Sequence, residues 1–229
     1  MDKRTFLKTS TLLAGAAVLP VWSCVGAEKQ IRTAHIGVGN MGFEDLKAIA
    51  THPQVVVSAL CDVDQNHLQA AAELFPEAKL FSDYRQMMSE FSGGFDAVVV
   101  STPDHTHAPA SLLAMEYDKS VYCQKPLSHY VSESREMSKM ASEKGLVTQM
   151  GIQVHSFYDY KLATMLIRGG IIGKVSKVIA WSNKNWGYDG IIPEGSDPVP
   201  ATLDWNLWLG TSKQRDYKEG YYHPMNWRK

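Results

Sequence analysis

Three runs of polar residues contain side chains that could take part in chemistry. They occupy residues 101–107 (STPDHTH), 123–126 (CQKP) and 149–155 (QMGIQVH). In the second run, the ammonium group of Lys125 could polarise a carbonyl group or hydrogen-bond a hydroxyl group that is being oxidised. Pro126 keeps Lys125 out of the helical backbone region. We expect Lys125 to be the catalytic residue, and the alternative is an exposed lysine in a turn.

Each polar run follows a short apolar stretch that is typical of a β-strand. Strands are predicted at residues 31–36, 55–60, 79–81, 97–101, 120–124 and 147–150. Helical periodicity predicts helices at residues 41–50, 64–75, 83–91, 108–117 and 131–144 between them. This alternation is typical of an α/β fold with a doubly wound parallel sheet, the Rossmann architecture, ending near residue 150. Because the strands are parallel, their carboxyl ends share one edge, and the polar runs should meet there.

The stretch from residue 33 to residue 42 (TAHIGVGNMG) predicts a buried strand, a glycine turn and the start of a helix. Gly37 permits a tight turn, Gly39 lets the main chain approach a pyrophosphate, and Gly42 lets the helix pack closely on the strand. The N–H groups of the helix N-terminus then face the phosphates. A second strand followed by Asp62, about twenty residues later, completes a dinucleotide-binding pattern. The alternative is a unit whose glycines serve only packing.

The type of cofactor is indicated by Asp62. Its carboxylate can accept hydrogen bonds from both hydroxyl groups of the adenosine ribose and would repel a 2′-phosphate. We therefore expect NAD, with NADP less favoured. The alternative role of Asp62 is to cap the next helix, a role for which Asp64 is also suited. The expected cofactor-binding residues are Gly37, Gly39, Asn40, Met41, Gly42, Asp62, Ser101, Thr102, Pro103, His105, His107, Gln124, Lys125 and Gln153.

His105 and His107 also allow a different interpretation, because an H-x-H pair after a strand can supply two ligands of a hydrolytic metal site. Such a site needs further ligands. Asp104 and His155 are candidates, but their spacing is not diagnostic. We expect no metal and interpret the histidines as packing against the cofactor.

The chain after residue 150 has a different character. A helix is predicted at residues 158–168 and a strand at residues 172–181, followed by an aperiodic stretch rich in Gly, Pro, Trp and Tyr. We interpret residues 151–229 as part of a second domain. The aromatic side chains could stack on sugar rings at one or two positions, and core packing is the alternative for the rest. They are Trp181, Trp186, Trp205, Trp208, Trp227, Tyr188, Tyr217, Tyr221 and Tyr222.

Bulk composition gives little support to other classes of protein. The formal net charge is −1, and there is no run of basic residues, so a nucleic-acid partner is not expected. Cys24, Cys61 and Cys123 form no C-x-x-C pair, and their odd number does not indicate a disulfide framework. Cys61 and Cys123 are expected to be buried thiols in strands.

Residues 1–30 are interpreted as a targeting segment. Lys3, Arg4 and Lys8 precede an apolar run at residues 9–19 that is too short to span a bilayer. The segment resembles a twin-arginine export signal in which Lys3 replaces the first arginine. Cys24 lies in a sequence that resembles a lipoprotein cleavage site, and cleavage near Ala27 is the alternative. We expect a periplasmic or lipid-anchored protein without a membrane span, and the alternative location is the cytoplasm.

With these motifs identified, the chain resembles the Gfo/Idh/MocA oxidoreductases, the glucose-fructose oxidoreductase and inositol dehydrogenase family, in its exported bacterial branch. The resemblance rests on residues 37–42, 101–105, 124–126, 149–151 and 205–210. It implies a Rossmann domain, a second α/β domain with an open sheet, a tightly held nicotinamide cofactor and a carbohydrate substrate. The catalytic lysine of the family's Lys-Pro motif corresponds to Lys125, and Gln124 stands where the family most often has Glu.

Family members continue beyond the last residue of this chain and usually associate through the second domain. The resemblance therefore implies a C-terminally truncated sequence whose full-length form is a homo-oligomer. Three functions follow as hypotheses. The first is NAD-dependent hydride transfer on a sugar or polyol, with Thr102, Pro103 and His107 shaping the nicotinamide pocket. The second is a glycosidase that uses NAD for oxidation, elimination and re-reduction. The third is a catalytically silent nucleotide-binding protein.

Overall fold

A computed structural model of the protein describes residues 29–183, 190–191, 194–223 and 227. Its centre is a six-stranded sheet in the order β3-β2-β1-β4-β5-β6, in which every neighbouring pair is parallel. This confirms the predicted Rossmann architecture. The strands are β1 (Ile31–Ile36), β2 (Val55–Cys61), β3 (Lys79–Phe81), β4 (Ala97–Val100), β5 (Ser120–Gln124) and β6 (Thr148–Gly151).

Helices connect the strands and lie on the two faces of the sheet. Most of them match the sequence prediction to within one residue at each end. The helices in the described residues are α1 (Met41–Ala50), α2 (Gln65–Leu74), α3 (Tyr84–Phe91), α4 (Asp104–Glu116), α5 (Val131–Lys144), α6 (Gln153–Ser156), α7 (Tyr158–Arg168) and α8 (Trp205–Leu209).

The central strand β4 is apolar because both of its faces are covered. Val98 and Val100 are fully buried in a core cluster that also contains Phe95 and residues of α3 and α4. A second cluster, which includes Leu46 and Leu60, lies between α1, β2 and α2. A parallel sheet needs this cover on both faces. The two cysteines that the structure describes, Cys61 and Cys123, are buried and free, as predicted.

Helix capping fixes where two helices begin. The Asp64 side chain accepts a hydrogen bond from the main-chain N–H of Asn66, and Asp83 does the same for Arg85. Both acids occupy the N-cap position, where a side-chain oxygen satisfies an N–H group that the helix leaves unpaired. The cap of α2 is therefore Asp64 and not Asp62.

Helix α4 was predicted to begin at residue 108 and instead begins at Asp104. The helix contains Pro109, a residue type that is typical of a first helical turn. In the structure it lies in the second turn, where its missing N–H leaves the carbonyl group of His105 without a helical donor. The Thr211 hydroxyl group donates to that carbonyl oxygen at 3.2 Å. A residue far along the chain thus supplies the hydrogen bond that Pro109 removes.

The strand predicted at residues 172–181 is not formed. Ile172, Val178, Ile179 and Trp181 are exposed instead. A strand needs neighbouring strands to pair its N–H and C=O groups, and the sheet of the described residues ends at β6. The helix predicted just before it, α7, does form, but none of its residues is buried. Within the described residues, no helix has the length and apolar character needed to cross a membrane.

Candidate functional site

A cleft of about 400 Å³ lies at the carboxyl edge of the sheet. It receives residues from the loops that follow β1, β2, β3, β4 and β5, as the topology requires. Eleven of the fourteen expected cofactor-binding residues line it. They are Gly37, Gly39, Asn40, Met41, Asp62, Ser101, Thr102, Pro103, His107, Gln124 and Lys125.

The glycine turn forms the floor of this cleft. Gly37 has a φ of +81°, and a β-carbon at this position would lie 2.8 Å from the carbonyl carbon of Ser101. Only glycine satisfies both conditions without strain. Helix α1 begins at Met41, immediately after the turn, and the main-chain N–H groups of Gly42 and Phe43 donate to the carbonyl oxygens of Gly39 and Asn40. This arrangement fits a dinucleotide, because a narrow turn and a helix N-terminus can hold a pyrophosphate.

Asp62 follows β2 and reaches back to the glycine turn. Its carboxylate accepts hydrogen bonds from the main-chain N–H groups of Val38, at 2.8 Å, and Asp64, at 2.9 Å. These bonds fix the carboxylate on the cleft wall, next to the predicted position of the adenosine ribose. The arrangement is compatible with the predicted role in binding ribose hydroxyl groups, which stays a prediction.

Sequence analysis missed a pair of histidines beside Asp62. The ring of His67 packs on Gly39, where a β-carbon would lie 2.3 Å from His67 Nδ1. The Asp62 carboxylate, 3.8 Å from the same nitrogen, raises the pKa of His67 above its ordinary value, against the opposing effect of burial. His223 Nε2 lies 3.0 Å from the Asp64 carboxylate. Nothing in the spacing of these residues indicates the cluster, because His223 comes from a distant part of the chain.

Lys125 lies at the other end of the cleft, in a turn that contains a cis Lys125-Pro126 peptide bond. Its side chain is exposed at the cleft wall. The main-chain N–H of Lys125 donates to Gln124 Oε1 at 3.1 Å. Exposure leaves the ammonium group accessible to a substrate, while the main chain beside it is held. The catalytic role of Lys125 stays a prediction.

His107 connects the Lys-Pro turn to the loop after β4. Its Nδ1 lies 2.6 Å from the carbonyl oxygen of Pro126, and its Nε2 lies 2.7 Å from that of Thr102. The ring is 1% exposed. A buried imidazole between two carbonyl oxygens links two of the loops that were expected to surround the nicotinamide.

His105 does not line the cleft. Its Nε2 donates to the carbonyl oxygen of Trp208 at 2.9 Å, and burial lowers the pKa of its ring. The two histidines of the H-x-H pair are therefore both engaged with main-chain carbonyl groups. In the part of the chain that the structure describes, no three His, Cys, Asp or Glu side chains are grouped so that they could hold a metal ion. The hydrolytic metal interpretation has no support from this geometry.

Two further predicted residues lie outside the cleft lining. Gly42 is buried behind the turn, where it contacts the carbonyl oxygen of Gly37. Gln153 is exposed at the start of α6, with Nε2 3.8 Å from Met41 Sδ. Gly42 therefore supports the turn through packing, while Gln153 lies at the outer rim.

Residues after α7 also contribute to the cleft. Asn206, Leu207 and Trp208 from α8 line it together with Gly210 and Thr211. The aromatic rings behind them pack on one another, with Trp205 stacked on Trp208 at a centroid distance of 4.7 Å.

Core packing accounts for most of the aromatic cluster. The side chains of Trp208, Tyr217 and Tyr221 are buried, and those of Tyr217 and Tyr221 lie outside the cleft lining. Trp181 is exposed, and stacking there stays a prediction. Trp186 and Tyr188 lie outside the described residues.

Asp45 is a further residue that sequence analysis missed. It lies on α1, and its carboxylate accepts hydrogen bonds from Ser101 Oγ and Gln124 Nε2. The chain carries Gln124 where the resemblance leads one to expect Glu. The Gln124 amide suits its neighbour Asp45, because an amide can donate a hydrogen bond to a carboxylate and a glutamate side chain cannot.

Comparison with known proteins agrees with this geometry. Residues 31–152, more than half of the chain, match the model of the Gfo/Idh/MocA family, described as an oxidoreductase family with an NAD-binding Rossmann fold. A scyllo-inositol 2-dehydrogenase (NAD(+)) from Bacillus subtilis is 28% identical over 64% of this chain and 43% of its own length. A glycosyl hydrolase family 109 protein from Stenotrophomonas maltophilia is 24% identical over 76% of this chain and 40% of its own.

Among solved structures, myo-inositol 2-dehydrogenase from Lactobacillus plantarum superposes with a TM-score of 0.60. It shares 26% identity and covers 64% of this chain and 43% of its own. The chain spans about two fifths of the length of the curated relatives it matches. The family match covers the whole sheet and the loops after β1 to β5 that line the cleft. The chain belongs to the Gfo/Idh/MocA oxidoreductase family, with the NAD-binding Rossmann fold of that family.

Proposed function

We propose that this chain is the cofactor-binding part of an NAD-dependent oxidoreductase that transfers a hydride at a carbinol or ketone carbon of a polyol or sugar. One observation carries the proposal. The glycine turn, Asp62 and Lys125, which come from the ends of three different strands, line the same cleft. A dinucleotide site and a lysine that can act on an oxygen atom are therefore adjacent.

The residues at the glycine end would hold the cofactor. The Gly37 turn and the N-terminus of α1 provide N–H groups for the pyrophosphate. The Asp62 carboxylate provides acceptors for the ribose hydroxyl groups and disfavours a 2′-phosphate, so NAD is preferred to NADP. Bound NAD supplies a nicotinamide ring that accepts or returns a hydride.

The residues at the lysine end would act on the substrate. The Lys125 ammonium donates a hydrogen bond to the substrate oxygen, which stabilises negative charge on that atom as the carbon is oxidised or reduced. His107 and Gln124 hold the main chain on either side of Lys125, so that the ammonium group starts from a defined position. Leu207 and Trp208 cover part of the cleft and reduce the access of water.

The substrate class is supported by the names of the relatives, several of which are inositol dehydrogenases. A second candidate is a glycosidase that oxidises the sugar, eliminates the aglycone and reduces the product again. It is favoured by the glycosyl hydrolase relative, whose match covers a larger share of this chain, 76%, than that of the inositol dehydrogenases. The two candidates differ in net cofactor turnover, because only the dehydrogenase accumulates NADH.

Titration of the protein with NAD and NADP, followed by tryptophan fluorescence, tests the cofactor site. Incubation with NAD and a panel of inositols and sugars, with absorbance of NADH as the readout, tests the reaction. We expect NAD to bind more tightly than NADP and at least one polyol to yield NADH. Release of an aglycone without NADH would identify the glycosidase. Binding of NAD without either activity would identify a silent binding protein, and failure to bind either nucleotide would refute the proposal.

We also infer that the protein is exported. The inference is supported only by the basic residues Lys3, Arg4 and Lys8 and the apolar run after them, which lie outside the described residues. The mass of protein recovered from the periplasm or membrane is expected to show cleavage before Cys24 or near Ala27. Recovery of the intact N-terminus from the cytoplasm alone would contradict export. Homo-oligomerisation stays a prediction.

A further inference from the structure

Asp45 joins three elements of the fold through one carboxylate. Its Oδ2 accepts hydrogen bonds from Ser101 Oγ at 2.7 Å and from Gln124 Nε2 at 2.9 Å. Its Oδ1 lies 3.1 Å from the same Gln124 nitrogen. Ser101 follows β4, Gln124 ends β5, and Asp45 lies on α1 behind the glycine turn. The carboxylate therefore connects the cofactor-binding helix with both loops on the lysine side of the cleft.

The amide of Gln124 hydrogen-bonds both to Asp45 and to the main chain of Lys125. Gln124 is 4% exposed, so its amide group has little access to water. Because its nitrogen faces Asp45, its oxygen faces the other way and accepts the main-chain N–H of Lys125 at 3.1 Å. Because an amide donates through its nitrogen and accepts through its oxygen, a partner that fixes the nitrogen also fixes the position of the oxygen. The hydrogen bond to Asp45 thus determines which end of the Gln124 amide faces Lys125.

We propose that Asp45 is a positioning residue for the reaction. Its carboxylate sets the orientation of the Gln124 amide and the Ser101 hydroxyl group, and through Gln124 it holds the main chain of Lys125 against the cofactor cleft. The inference rests on the proposed function, since it assigns Asp45 a role in placing Lys125 and Ser101 beside bound NAD.

The chemistry of this pair gives a direct test. In Gln124→Glu, the new carboxylate would lie about 3 Å from Asp45, and the two acids could be accommodated only by sharing a proton. In Asp45→Asn combined with Gln124→Glu, an amide and a carboxylate face each other again, with the donor and the acceptor exchanged. Each substitution keeps the length of its side chain, so the double variant restores complementarity without a change in volume.

Tyr122 of β5 also faces Asp45 and must be considered in any pH profile. Burial, and then the Asp45 charge, raise the pKa of Tyr122 above its ordinary value of 10.0. The phenol therefore remains neutral between about pH 5 and pH 8, and a change in NAD binding across this range does not come from its titration.

The experiment measures NAD affinity by tryptophan fluorescence at about pH 8 and about pH 5, well below the unfolding temperature. Gln124→Glu is expected to weaken NAD binding about tenfold at the higher pH. At the lower pH, where one carboxyl group of the pair is protonated, most of the lost NAD affinity is expected to return. The double variant is expected to bind within about threefold of the parent protein at both pH values. Gln69→Glu, at an exposed position on α2, is the matched control and is expected to have no effect.

Polyol-dependent kcat and KM provide the second readout. If Asp45 positions Lys125, the loss in Gln124→Glu falls mainly on kcat and is restored in the double variant. Unchanged NAD affinity in Gln124→Glu at the higher pH, or a double variant no better than the single one, would overturn the inference. Failure of the parent protein to bind NAD would instead refute the proposed function, so the two failures are distinguishable.

Discussion

Replacement of Gly42 with alanine tests how tightly α1 packs against the glycine turn. A β-carbon at this position would lie 2.0 Å from the carbonyl oxygen of Gly37, 2.8 Å from its carbonyl carbon and 3.2 Å from Ser101 Cβ. A carbon and a carbonyl oxygen that are not bonded approach to about 3.3 Å. The helix or the turn must therefore move by about 1.3 Å. Because the two closest atoms belong to the main chain, no side-chain rotation can relieve the clash.

The expected change in stability combines two opposing effects. Overpacking of this kind costs about 3 kcal/mol, the upper part of the usual range, since the main chain itself must shift. Alanine recovers at most about 1 kcal/mol relative to glycine within a helix. The free energy of unfolding should therefore fall by about 2 kcal/mol, which corresponds to a decrease in Tm of about 4–8 °C for a chain of this size.

Gly93→Ala is the matched control. Gly93 is exposed in a 3₁₀ turn, no atom lies within 4 Å of an added β-carbon, and its φ is not in the left-handed region. Its free energy of unfolding should change by no more than about 0.5 kcal/mol. Chemical denaturation of both variants gives the comparison, and NAD titration of Gly42→Ala should show weaker binding because the displaced turn holds the pyrophosphate. Equal denaturation midpoints in the two variants would refute the packing argument.

Two further predictions concern the two ends of the cleft. Lys125→Ala is expected to lower polyol-dependent NADH formation by at least about 100-fold with little change in NAD affinity, because the ammonium group acts mainly in the transition state. The exposed Lys139→Ala is the control. Unchanged activity in Lys125→Ala, or an equal loss in Lys139→Ala, would contradict the catalytic assignment of Lys125. At the other end, Asp62 raises the pKa of His67 in the folded protein. The stabilisation from this pair is therefore fully present below about pH 6.5 and is lost as the pH rises through the folded pKa. Tm measured from about pH 5 to pH 9 should show this loss in the parent protein and not in His67→Asn. Identical pH profiles of Tm in the two proteins would show that the Asp62–His67 pair does not contribute to stability.

Local signals were sufficient for most of the sheet. The apolar run before Ser101 predicted β4 correctly, because a strand buried on both faces is apolar throughout. The glycine turn correctly marked the end of β1. Asp64 was recognised as a cap, since its side chain bonds to an N–H only two residues away. These features depend on short stretches of chain, and a short stretch of sequence contains all the information needed to predict them.

The errors arose where distant residues decide the outcome. The strand expected at residues 172–181 has suitable residues, but strands form only beside other strands, and the sheet of the described residues ends at β6. Asp45 escaped notice because an acid on an amphipathic helix is usually interpreted as solvent-exposed. Its partners, Ser101 and Gln124, lie far along the chain and meet it only after the sheet has formed.

The attachment of α8 shows that the cleft is not made by the sheet alone. Pro109 frees the carbonyl group of His105, and Thr211 donates to it, while the ring of His105 donates to the carbonyl oxygen of Trp208. His105 of α4 thus holds α8 through its side chain and the segment after α8 through its main chain. Since Trp208 also lines the cleft, the tryptophan motif at residues 205–210 contributes to the site. A role in the second domain alone would not explain why α4 is adapted to receive it.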